Sequence, residues 1–203
     1  MKYAIINCVD TPVICEKHNV TTFPDVRYFD NGTPKDYDWT FDAQGFYDIG
    51  HKVSNPPVFN LGKDATFYRF KESHDWSFIL WFFPMTQDDS HLEKVALYEK
   101  VAKDYRHTPF FFGQAVRAEL RATERVPFGA MPVVRMYGID EAYDYNITHY
   151  NEESLRQFIE DHKFGHVFAL DHSQWRVVHR DLKKQQKVML LAVVDIDDKA
   201  QVS

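Results

Sequence analysis

The chain has 203 residues, of which 44% are hydrophobic and 27% charged, with seventeen Phe and a formal net charge of −6; this is ordinary globular material with apolar side chains enough for one or two cores. Its basic residues are scattered among acidic ones, so nothing in the charge draws it to nucleic acid or to an anionic bilayer. The longest apolar runs, Phe78 to Phe83 and Val188 to Val194, fall short of the roughly 18 residues of a membrane-spanning helix, and the opening Met1-Lys2-Tyr3-Ala4-Ile5-Ile6-Asn7 turns polar too early for a secretory leader.

In chain order, Tyr3 to Asn7 predicts a buried strand and Pro12 to His18 one or two helical turns. Val26 to Phe29, between Pro24 and Asn31-Gly32, predicts a strand leading into a hairpin with a partner around Tyr37. Asp42 caps a helix to Val53 with Phe46, Ile49 and Val53 on one face, and Ser54-Asn55-Pro56-Pro57 breaks it. Strands follow at Val58 to Leu61, Phe78 to Phe83 and Phe110 to Phe112, alternating with helices at Asp64 to Glu72, Ser90 to Tyr105 and Ala115 to Arg125. Then come Met131-Pro132, a strand over Val133 to Tyr137, a partner around Tyr143 to Thr148, and an amphipathic helix from Glu152 to His162. From Val167 the order restarts: strand, helix (Ser173 to Lys184) and strand (Val188 to Val194).

The stretch from Thr22 to Gly32 returns in altered form. At an offset of 108 residues, Pro24, Val26, Arg27, Asp36, Tyr37 and Thr40 match Pro132, Val134, Arg135, Asp144, Tyr145 and Thr148 without a gap, and Val58-Phe59-Asn60-Leu61 returns as Val167-Phe168-Ala169-Leu170 at an offset of 109. Solenoid and propeller repeats have periods of roughly 20 to 50 residues, so a period this long is a domain. The expectation is a tandem array divided as 1–55, 56–165 and 166–203, with the first and last units cut short.

Cys8 and Cys15 are the only cysteines. Their spacing across a strand end and a helix allows a structural disulfide, two buried thiols, or a redox pair or zinc site with His18. Pro24 and Pro132 are either strand-leading prolines or cis residues. Asn19-Val20-Thr21 and Asn146-Ile147-Thr148 fit the glycosylation pattern, whereas Asn31-Gly32-Thr33 is followed by Pro34. His162, His166 and His172 read as solvated linker residues, and Asp195, Asp197 and Asp198 lack the glycine and closing glutamate of a calcium loop. No metal site is expected.

Asn7-Cys8, Cys15-Glu16-Lys17-His18, Phe23-Pro24 and Asn31-Gly32 together resemble the second half of a catalytic domain of the protein disulfide isomerase family, with Asp25 where that family usually has Thr. The middle unit is similar to the family's redox-silent domain, with Phe158-Ile159 to Phe164-Gly165 as its closing helix and linker, and the domain order is most similar to the thioredoxin-related transmembrane members. The resemblance implies an α/β fold of tandem thioredoxin-like domains, each a central mixed sheet flanked by helices. Of the three readings of the cysteines, the structural Cys8–Cys15 disulfide is the expected one; the resemblance implies cis bonds at Phe23-Pro24 and Met131-Pro132, the former facing peptide and the latter structural. Unfolded or disulfide-containing client proteins, no cofactor and the lumen or membrane of the endoplasmic reticulum also follow from it. The family's Cys-x-x-Cys is missing: its positions fall upstream of Tyr3, at Pro84 to Asp89, and at Asp195 to Asp198.

Two functions are consistent with this. One is a fragment of a lumenal thiol–disulfide oxidoreductase that has lost the catalytic motif and is itself inactive; the other is a non-enzymatic client-binding or scaffold module. A calsequestrin-like calcium store would need a far more acidic surface than a charge of −6 provides.

Overall fold

The computed structural model describes residues 4–37, 39, 42–73, 77–81, 89–126, 133–138, 142–145 and 150–163, and nearer the C-terminus 175, 178–179, 182–183, 186, 188–191 and 193. The chain divides into two compact units, Met1–Phe168 and Ala169–Ser203.

In the first unit the described elements run α1 (Pro12–Lys17), β1 (Arg27–Asp30), β2 (Thr33–Asp36), α2 (Ala43–Ser54), β3 (Phe59–Asn60), α3 (Asp64–Glu72), β4 (Ser77–Trp81), α4 (Asp89–Asp104), β5 (Phe111–Ala115), α5 (Ala118–Thr123), β6 (Val133–Tyr137), β7 (Ala142–Asp144) and α6 (Glu152–His162). Five strands form one sheet in the order β3-β5-β4-β6-β7. β5 runs parallel to β3 and β4, β6 antiparallel to β4, and β7 antiparallel to β6.

Alternation along the strands builds a core on each face. Phe78, Phe112, Val134 and Met136 point to one side, against Tyr98 and Val101 of α4 and Leu155, Phe158 and Ile159 of α6. Ile79, Trp81, Phe111, Val133 and Tyr137 point to the other, against Phe67 and Phe70 of α3 and Leu120 of α5. A sheet buried on both faces requires near-continuous apolar strands, and Phe78-Ile79-Leu80-Trp81 is one. At Gly113 an added Cβ would stand 2.5 Å from Leu61 Cδ1 and 3.3 Å from Phe70, so a larger residue there requires the Leu61 side chain to shift.

β1 and β2 form a separate antiparallel hairpin closed by Asn31 and Gly32 at φ 49° and 81°, the positive values that a two-residue hairpin turn demands. Asp42 caps α2 by accepting from the Gly45 amide at 2.7 Å, and α6 opens on a reciprocal cap between Asn151 and Ser154.

Three local expectations need correction. Residues 4–7 form no strand: the described residues provide no neighbouring ladder for them, and Ile5 stands fully exposed. β5 continues through Ala115 because β4 pairs with it that far, which delays α5 to Ala118. The apolar residues 188–191 and 193 also form no strand, with Val188, Leu190 and Val193 nearly fully exposed. Of the second unit, the described helical residues include Trp175, stacked on His179 at 5.4 Å, and buried Val178.

Candidate functional site

Asn7 turns the chain back on itself ahead of α1. Its carbonyl accepts from the Thr11 amide and hydroxyl, each at 2.9 Å, its side-chain oxygen accepts from the Val9 amide at 3.0 Å, and its amide nitrogen donates to Asp10 at 2.7 Å. That turn, with Pro12 opening the helix, returns Cys8 toward Cys15, and the two are disulfide-bonded with Cα atoms 5.8 Å apart. Cys15 is buried and Cys8 half-buried. The bridge leaves the chain no free thiol.

α1 ends at His18, and Asn19 follows at φ 51° with its side chain exposed. The Phe23-Pro24 bond is cis, and Phe23 is 71% exposed. Arg27 on β1 joins these pieces: its Nη1 donates to the His18 carbonyl while Nε and Nη2 grip both oxygens of Asp25 at 3.1 Å, next to Pro24. The His18 ring meets Phe29 edge-on at 5.6 Å. The loop, the helix end and the hairpin are therefore held as one piece, with Phe23 facing solvent.

The internal repeat is visible here in atoms. Arg135 on β6 donates to the carbonyl of Glu124, the residue that ends α5, at 2.7 Å, and Arg125 after it sits at φ 52°, as Asn19 does after His18. Arg135 also makes a two-pronged bond to Asp144 at 2.6 and 2.7 Å, which raises the guanidinium's pKa, chiefly through that hydrogen bond. Arg27 faces Asp36 in the hairpin register as Arg135 faces Asp144. In both copies a strand arginine ties down the carbonyl end of the preceding helix.

Lys52 was not singled out in the sequence, yet it is the group that joins α2 to the sheet. It is buried at 1% exposure, and its Nζ donates to the Tyr105 carbonyl at 2.8 Å and to the carbonyls of Thr108 and Phe110. The ammonium also lies 4.9 Å from the Phe111 ring centroid. Burial pulls its pKa well below the usual lysine value. The available signal is its position three residues after Ile49, on the helix's buried stripe. Arg106 donates to the carbonyls of Val53 and Asn55, and His107 Nε2 lies 3.6 Å from Asp30, so the turn after α4 grips both α2 and the hairpin.

Met131, Pro132 and Asn146 lie outside the described residues, as do His166, His172, Asp195, Asp197 and Asp198. His162 is not a solvated linker residue: it ends α6, donates from Nδ1 to the Phe158 carbonyl at 2.8 Å and lies between the Tyr143 and Phe158 rings, 4.7 and 4.5 Å away. Among the described residues no helix is long and apolar enough to cross a membrane.

No family model matches the chain, and no curated protein does. Among solved structures it is similar to the first thioredoxin domain of mouse protein disulfide-isomerase A4, at 15% identity and TM-score 0.47 over 58% of this chain and 84% of that one. Full-length ERdj5 is similar at 17% identity and TM-score 0.45, over 76% of this chain and 23% of that one. Human ERp44 is similar at 16% identity and TM-score 0.41, over 76% of this chain and 41% of that one. The chain thus spans less than half the length of ERdj5 and of ERp44. The strand order β3-β5-β4-β6-β7, with its parallel pairings followed by antiparallel ones and helices on both faces, gives the region from β3 to α6 a thioredoxin-like fold.

Proposed function

We propose that the chain is a redox-silent, client-holding part of a thiol–disulfide oxidoreductase of the protein disulfide isomerase family, working in the lumen of the endoplasmic reticulum. The observation that carries this reading is the fate of the cysteines: both are joined to each other, Cys15 is buried, and the bridge anchors the helix beside an exposed aromatic loop. A catalytic dithiol needs an accessible, low-pKa thiolate with a resolving partner close by, and a mutual bridge provides neither. An intact bridge also fits an oxidising compartment.

What remains is a binding surface. Phe23 presents its ring to solvent, and exposed Val13 and Ile14 lie on the neighbouring helix. Extended segments of unfolded clients expose aromatic and branched side chains of the kind such a surface accepts, and the hydrophobic contribution scales with the apolar area buried. No thiol chemistry is needed.

The test is titration of a fluorescent, cysteine-free, aromatic-rich unfolded peptide with the purified chain. Binding that Phe23→Ser abolishes, with the circular dichroism spectrum unchanged, supports the reading. Equal binding by the variant overturns it.

A further inference from the structure

α1 closes on Asn19. The Asn19 amide donates to the Glu16 carbonyl at 3.0 Å and the Val20 amide to the Cys15 carbonyl at 2.9 Å, with Asn19 itself at φ 51°, the left-handed helix ending that favours glycine and asparagine. That geometry does not by itself call for asparagine here. α5 ends on the same pair of bonds, Arg125 to Ala122 and Val126 to Arg121, both at 3.1 Å, with an arginine at φ 52° in the asparagine's place. What the first copy adds is a hydroxyl two residues on. Asn19-Val20-Thr21 is a glycan-acceptor triplet without proline, Asn19 and Thr21 are both exposed, and neither side chain is hydrogen-bonded to another described residue. Asn31-Gly32-Thr33 differs: Asn31 donates to Asp30 at 3.1 Å, Thr33 is paired into the β1–β2 ladder, and Pro34 follows.

We propose that Asn19 carries an N-linked oligosaccharide, a reading that rests on the lumenal address given above. In the transfer, Asn19 Nδ2 gives up a proton to a base of the transferase and forms a bond to the anomeric carbon of a lipid-diphosphate-linked oligosaccharide; the bond from that carbon to the diphosphate oxygen breaks, and the lipid diphosphate leaves. The Thr21 hydroxyl is the group by which the transferase selects this asparagine. A bulky, hydrated glycan needs a surface position, and an exposed side chain at a helix end accommodates it without displacing a core residue. Its base is fixed, because Arg27 holds the carbonyl of His18, the preceding residue, and with the same guanidinium grips Asp25 beside Pro24. The glycan is thus mounted on the fastened piece that carries Phe23.

The experiment expresses the chain in eukaryotic cells behind a secretory leader, so that it enters the lumen whatever its native address, and compares its mass before and after digestion with a peptide N-glycosidase, which leaves aspartate at the modified position. The expected result is a loss of mass on digestion with aspartate at position 19. The glycan should be absent from Asn19→Gln and Thr21→Ala and retained in Thr21→Ser, and peptide mapping reads each outcome whether or not the variant folds. A chain that enters the lumen and carries no glycan overturns the proposal alone. So does a glycan that survives Asn19→Gln and disappears in Asn146→Gln, which places it on the later triplet. A glycan on the leader-borne chain, with none on the protein isolated from its own cells, overturns the lumenal reading and the proposal with it.

Discussion

Lys52 places an ammonium where only carbonyls and aromatic rings surround it. Without Lys52 the Tyr105 carbonyl keeps the Thr108 amide and hydroxyl as donors, but the Thr108 and Phe110 carbonyls lose theirs, at about 1–3 kcal/mol each, so Lys52→Met is expected to destabilise the first unit by about 3 kcal/mol in urea denaturation. His107 titrates in a different sense. Burial lowers its pKa, Asp30 raises it, and Lys35, Arg106 and Lys52 lower it further, leaving it below the ordinary 6.5. The unfolded chain therefore takes up this proton first as pH falls. The stability linked to His107 is complete above pH 6.5 and is lost as pH drops below it. His107→Gln should lose less stability than the unsubstituted chain between about pH 7.5 and 5.5; an equal or greater loss would show that the imidazole is not the group responsible.

At the scale of elements, local patterns with a strong period are legible in the sequence. The hairpin follows from Asn31-Gly32, α2 from its Asp42 cap, α6 from the spacing of Leu155, Phe158 and Ile159, and the order of strands and helices in the middle unit from alternating apolar runs. Residues 4–7 are misread because an apolar run reports only that a segment suits a strand; whether a ladder forms depends on a neighbour elsewhere in the chain. The bridge cysteines and the Phe23 loop can be singled out by residue type, but the clamp that holds them cannot, since the bond from Arg27 to the His18 carbonyl spans a turn whose path no periodicity reveals. Lys52 is hidden for a related reason: a lysine on an apolar stripe has no meaning until three carbonyls from a distant turn surround it.

Glycines give two further expectations at this scale. Gly32→Ala forces a side chain into φ 81° and should cost about 1 kcal/mol, confined to the hairpin. Gly113→Ala drives a Cβ into Leu61 and against Phe70 in the core and should cost about 1–3 kcal/mol in cooperative unfolding. A neutral result at position 113 would mean that Leu61 moves aside freely.

For the molecule as a whole, the thioredoxin-like sheet is the framework and the first 55 residues are fastened to it by Lys52, Arg106 and the His107–Asp30 contact. Amide exchange should accordingly protect α2 together with α4, because both lie on the same buried grip, while residues 4–7 exchange freely. Rapid exchange throughout α2 would show that the grip opens readily.

The central claim is that this chain binds clients without thiol chemistry, its two cysteines serving only to anchor α1. The most direct measurement is the reduction of insulin by dithiothreitol, followed by turbidity with and without the purified chain. The account predicts the same rate in both. An acceleration by the chain that disappears in Cys8→Ser would contradict it, because Cys8 would then be acting as a nucleophile.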